Sequence, residues 1–179
     1  MKFSKTLILV TAVMLAACAT KKPAGTVANG QVPPAPAVQP ADQGPQLSND
    51  EIARRLFDAV NKQRTDAKLP ALQSSPELAR SAQAHSDKMA AGTFLSTRGA
   101  DEPSVVTRLT ANGVKTLKLG ENVVRVKTRS DQLADETLGV WMNTAPDRKN
   151  ILSAAFTKAG VGVTQAPDGD HYLTEDFAQ

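Results

Sequence analysis

Cysteine occurs once in this chain of 179 residues, at position 18, so no disulfide can form within it. A single folded domain must then hold by its apolar core alone. Net charge is missing as well, once it is located. The formal +3 comes entirely from residues 1–46, whereas residues 47–179 carry 17 Lys and Arg against 17 Asp and Glu. A neutral, mixed-sign domain has no electrostatic footprint for nucleic acid. Catalytic signatures are absent too: no GxSxG, HExxH, CxxC, P-loop or SxxK pattern occurs, and no internal repeat is visible. At this length one domain plus extensions is expected.

The extension lies at the N-terminus. Lys2 and Lys5 precede TLILVTAVMLAA (6–17), an apolar stretch of 12 residues. A bilayer span needs about 20 residues, so this length suits a secretory signal rather than a membrane helix. The stretch ends Leu15-Ala16-Ala17-Cys18, which resembles the lipobox of bacterial lipoprotein signals. That resemblance implies a signal peptide over 1–17, lipidation of Cys18, and an exported, lipid-anchored protein of the bacterial cell envelope. Several acyl chains anchor stably where one is marginal. Residues 19–46 hold six of the eleven prolines and no Leu, Ile or aromatic residue. They read as a disordered tether, so 18–46 forms anchor plus spacer, with a reach on the order of 80–90 Å if fully extended.

From 47 onward the pattern changes to that of a folded domain. Ser48-Asn49-Asp50-Glu51 is a capping box, with Ile52, Leu56, Ala59 and Val60 behind it at helical spacing as far as about Asp66. Leu69–Leu72 reads as a short extended piece. Ser75-Pro76-Glu77 opens a second helix with the stripe Leu78, Ala82, His85, Met89, closed by Gly92. A shorter helix is expected with Val105, Val106 and Leu109 inside and Asn112-Gly113 as its stop. Gly120–Val126 reads as a turn feeding a strand, and Ser130 as the cap of a helix carrying Leu133, Thr137, Val140 and Trp141. Ala159–Gln165 and His171–Phe177 form a hairpin over residues 166–170. Asp168 and Asp170 there are ordinary turn residues rather than a calcium loop. His85 is expected as a helix residue, buried or hydrogen-bonded, and His171 as a solvated one. The set predicts an α+β layered domain.

Several stretches follow an order typical of one family: NKQR (61–64), ELARSAQAHSDKMAAGTF (77–94), RLTANG (108–113), GEN (120–122), VWMN (140–143), RKNIL (148–152), AGVGV (159–163) and HYLTEDFA (171–178). The domain resembles the CAP superfamily of cysteine-rich secretory proteins, antigen 5 and pathogenesis-related proteins, in its short, disulfide-free bacterial SCP-like form. The resemblance implies a three-layer α-β-α sandwich over 47–179, its small sheet ending in a C-terminal antiparallel hairpin, with a groove above the sheet. It also implies where a metal site would lie. The two histidine positions are Thr97 and Asp147 here, the further acid of larger members falls near Thr144, and the acid of the GEN motif remains as Glu121. Zinc binds well to neutral imidazole and typically needs three or four protein ligands, so no metal and no cofactor is expected.

The groove candidates are therefore Thr97, Glu121, Asn122, Trp141, Thr144, Asp147 and Arg148, with Trp141 expected as core or lining and Asp147 and Arg148 as residues that shape their loop. The leading expectation is a monomeric, membrane-tethered, non-catalytic module that binds a small apolar molecule, a peptide or an envelope component. Two alternatives stand beside it. One is a hydrolase with Glu121 as base and Asp147 or Glu175 as partner; the other is a structural envelope protein with a vestigial groove.

Overall fold

A computed structural model describes residues 45–97, 103–115 and 118–179. The expected signal peptide over 1–17, Cys18, and all but the last two residues of the expected tether over 18–46 lie outside the described residues. Helix α1 (Asn49–Asp66) starts as its capping box dictates: the Ser48 hydroxyl accepts the Glu51 N–H, and Asp50 and Glu51 face the positive end of the helix dipole. Ile52, Leu56, Val60 and Arg64 form its buried stripe. The extended piece sits slightly later than its sequence suggests, as the two-residue strand β1 (Gln73–Ser74). Leu69–Leu72 serves instead as a connector, held by Asn61 on both polar groups of the Leu72 backbone and by Arg64 on the Pro70 carbonyl.

Ser75 caps α2 (Pro76–Gly92), and Leu78, Ala82, His85 and Met89 are buried along it. Gly92 remains helical; the residue that closes the helix is Thr93, in the left-handed region at φ 51°. Gly92 has another reason to be glycine, since a Cβ there would meet the Phe94 ring at 2.7 Å. In α3 (Val105–Ala111) Leu109 is fully buried, but Val106 is 42 % exposed, because a seven-residue helix presents only one narrow face. Val140 is likewise exposed on α4 (Leu133–Asn143), whose buried stripe is Leu133, Ala134, Thr137 and Trp141. Nor does Ser130 cap that helix. Its hydroxyl accepts from the Leu47 N–H and donates to the Pro45 carbonyl, fastening the start of the domain.

Strands β2 (Leu119–Val126), β3 (Lys158–Gln165) and β4 (His171–Ala178) complete a sheet of order β1-β3-β4-β2, with α5 (Ala145–Ile151) between α4 and β3. Only the β1–β3 pair is parallel. Helices α2 and α3 cover one face; α1, α4 and α5 cover the other, giving three layers. The contact on the α2 face is so close that only glycine fits at positions 160 and 162. A Cβ on either would come within 2.1–2.2 Å of the α2 backbone. The main core lies on the opposite face, where α1 and α4 bury Leu56, Val60 and Trp141 against Val163, Leu173 and Phe177.

The outer edge of β3 is only partly paired, since β1 reaches Lys158 and Ala159 alone. Further along, the Gln83 amide does what a strand would do. It donates to the Val163 carbonyl (3.0 Å) and accepts the Val163 N–H (3.0 Å). At the hairpin, Asp168 accepts the Asp170 N–H, and Asp170 stands 3.5 and 3.6 Å from Arg125 and Lys127. His171 is buried rather than solvated; desolvation lowers its pKa against the pull of Asp170.

Candidate functional site

Strand β2 distributes the candidate residues between the two faces of the sheet. Alternation sends Glu121 toward α2 and α3, and its neighbour Asn122 toward α5.

On the first side Glu121 is buried, and one of its oxygens takes an ion pair from the Arg108 guanidinium of α3. Its other oxygen lies 4.0 Å from His85 Nε2, and that nitrogen is 2.8 Å from the Ser96 carbonyl. Arg108 also donates to the Pro103 carbonyl at 3.2 Å. Across the strand pair, Glu121 stands opposite Asp176. Burial raises the Asp176 carboxyl to about 7, with Ser81 and Arg108 opposing the rise. One cluster therefore joins α2, α3, β2, β4 and the loop after α2.

On the second side Asn122 donates to the Asp147 carbonyl (3.1 Å) and accepts from Asn150 (2.8 Å), which also reaches the Glu121 carbonyl. These bonds pin the first turns of α5 to the sheet. Thr144 ends α4 and begins α5, its hydroxyl returning to the Val140 carbonyl at 3.0 Å. The Asp147 side chain is half-buried, and desolvation raises its pKa. Arg148 is exposed and donates to the Met142 carbonyl. Thr97 is exposed one residue beyond Ser96. Trp141 lies wholly inside the main core and offers a ligand no surface.

The candidates thus divide. Thr97 follows the residue that His85 holds beside Glu121, whereas Asp147 is tied to β2 by its backbone carbonyl, through Asn122. Glu175 lies away from Glu121, on the α1 side beside Arg64. Desolvation raises its carboxyl far above the ordinary carboxylate range, Arg64 pulling it back only in part. Sequence reading left out Ser81, Arg108, Asn150 and Asp176. A signal did exist for the first: Ser81 interrupts the apolar stripe of α2 at a core position. Nothing in the pattern tells Arg108 from a surface arginine.

The residues present do not fit the metal that the fold family implies. The Glu121 carboxylate is already matched by the Arg108 guanidinium, and the one imidazole near it, His85, bonds the Ser96 carbonyl. Among the described residues no three His, Cys, Asp or Glu side chains are placed to share an ion.

Comparison with known proteins agrees with this architecture. The family model for the cysteine-rich secretory protein family (CAP) matches residues 57–177. The uncharacterized protein YkwD of Bacillus subtilis is 26 % identical over 113 residues, covering 63 % of this chain and 42 % of that protein. An extracellular SCP-domain protein from Bacillus anthracis superposes with a TM-score of 0.62 at 27 % identity, over 76 % of this chain and 45 % of its own. The chain thus spans less than half the length of both relatives. An outer surface protein of Borrelia burgdorferi shares the fold, with a TM-score of 0.61 at 12 % identity over 76 % of this chain and 98 % of its own. With more than half its length matched in family order and its three layers reproduced in solved relatives, the chain belongs to the cysteine-rich secretory protein (CAP) family.

Proposed function

We propose that this CAP-domain protein is an exported, envelope-tethered binding module without catalytic activity, held to a membrane through lipid on Cys18. Its ligand is a small apolar molecule, a peptide or an envelope component. One observation carries the non-catalytic reading: Glu121 is buried and neutralised by Arg108. A carboxylate already paired with a permanent cation is a poor general base, because its proton affinity falls when the charge beside it is positive. The hydrolytic alternative also needs a second acid within reach, and Glu175, one of the two acids considered for that role, pairs in register with Asn122 and so faces away from Glu121.

The binding surface follows from what surrounds the cluster. Leu95 and Val106 are 48 % and 42 % exposed, on the two elements whose Ser96 and Arg108 meet at His85 and Glu121. Large apolar side chains left in solvent on the two elements that meet at a polar cluster suit an apolar ligand or peptide. The extracellular and outer-surface designations of the Bacillus anthracis and Borrelia proteins support an exported location. The test is an NMR titration of the full chain with a short apolar peptide, a fatty acid and soluble cell-wall fragments, run beside ester, peptide and glycoside turnover assays. Saturable shifts at Leu95, Thr97 and Val106 with no turnover are expected. Turnover that disappears in Glu121→Gln overturns the proposal.

A further inference from the structure

One cavity has a lining that shares no residue with the Glu121 cluster. About 370 Å³ in volume, it is lined by Ser75, Glu77 and Leu78 of α2, Gly113–Lys115 after α3, Lys158 of β3, and Ala178 and Gln179. This volume is at the lower end of ligand pockets, which run from about 300 to 1,000 Å³. Its floor is apolar: Leu78 and Ala178 are buried there with Leu109, and Val114 packs against them. Its rim carries two lysines from separate elements. Glu77 is an acid on that rim, accepting from the Ser75 hydroxyl at 2.8 Å, facing Arg80 at 3.8 Å, and held below the usual carboxylate range by the Ser75 bond and by the charges of Arg80 and Lys158. The Ser75 hydroxyl in turn caps the Leu78 N–H, so the α2 terminus needs nothing more.

We propose that this cavity binds a small organic anion with an apolar body, its charged group between Lys115 and Lys158 and its body on Leu78, Val114 and Ala178. The chemistry of the lining argues for both halves of the ligand. Apolar floor alone would accept a neutral molecule equally well, but Lys115 and Lys158 outnumber Glu77 at that mouth, and Glu77 is shared with Arg80, so the balance favours an anion over a cation. Lysine presents a compact charge on a flexible stem, so it accommodates either carboxylate or phosphate without demanding planar geometry. This site is independent of the surface around Thr97, and neither assignment rests on the other.

The test uses five probes on the isotope-labelled full chain: hexanoate, hexyl phosphate, hexanol, hexylamine and inorganic phosphate. Saturable NMR shifts at Leu78, Val114 and Ala178 are expected for hexanoate, hexyl phosphate or both. The two arms tell a carboxylate ligand from a phosphate one. Hexanol, hexylamine and inorganic phosphate should each bind at least tenfold more weakly. The double variant Lys115→Gln plus Lys158→Gln should lose at least tenfold in affinity, with its spectrum elsewhere unchanged. Single variants serve if the double variant is unfolded, each losing about threefold or more. The proposal is overturned by equal binding of hexylamine, by equal binding of inorganic phosphate, by unaltered affinity in the folded variants, or by no saturable shift from either anion.

Discussion

Arg64 is a cation placed where few cations are tolerated, with 1 % of its surface exposed. Its guanidinium donates to the carbonyls of Pro70, Ile151, Ser153 and Phe156 at 2.7–3.1 Å, and so fixes the end of α5 and the loop leading to β3. A lysine cannot reproduce that planar fork. Arg64→Lys should lower unfolding free energy by about 2–4 kcal/mol, since buried carbonyls are left without donors. Urea denaturation measures it, and a loss below about 1 kcal/mol would show that the fork is dispensable. Asp176 predicts the pH behaviour. Its carboxyl is raised in the folded state, from 3.8 to about 7, so the native protein holds the proton more tightly than the unfolded chain. Stability from this group is full below about pH 4, declines as pH rises toward 7, and is level above that. The whole decline is on the order of 4 kcal/mol, at about 1.4 kcal/mol per pH unit. Asp176→Asn should flatten this slope and leave the variant more stable than wild type at pH 7.5. Denaturation at several pH values decides it, and an unchanged slope would assign the titration to another group.

Glycines separate the elements by what lies over them. On β3, Gly160 and Gly162 face the α2 backbone, so Gly162→Ala should destabilise the fold by about 3 kcal/mol or more through overpacking. Gly139 in α4 has open space around its Cβ position, so Gly139→Ala should stabilise by about 0.5–1 kcal/mol. Thermal melts of the two variants should move in opposite directions; a shared direction would contradict the packing described for α2 and α4. These elements also show what sequence can say. The caps at Ser48 and Ser75 and the period-two hairpin are written in local chemistry, and they place α1, α2, β3 and β4 nearly to the residue. Ser130 carries the same hydroxyl as those caps but serves residues 83 and 85 positions earlier in the chain, which no local rule reveals. The Glu121 cluster was half legible for the same reason. Its acid sits in a recognisable motif, whereas its counter-ion comes from another element and is chosen by the fold.

At the scale of the whole domain, no described contact depends on a disulfide or a metal. A chain beginning near residue 45 should therefore fold alone, as a monomer, with a melting midpoint unaffected by chelator or reductant. Calorimetry with and without EDTA, beside sedimentation of the same sample, tests both statements. A chelator-induced fall of several degrees would reveal a structural ion. The proposed anchoring would raise a further demand. Proteins fastened to a membrane meet one another at a surface concentration far above their average in solution, and sheet edges are where neighbours join. Beyond β1 the Val163 N–H and carbonyl are among the backbone groups that a foreign strand would seek, and the Gln83 amide already holds both. One side chain from a helix thus blocks part of the edge that β1 is too short to reach, leaving crowded copies a shorter stretch on which to build the first rungs of a ladder.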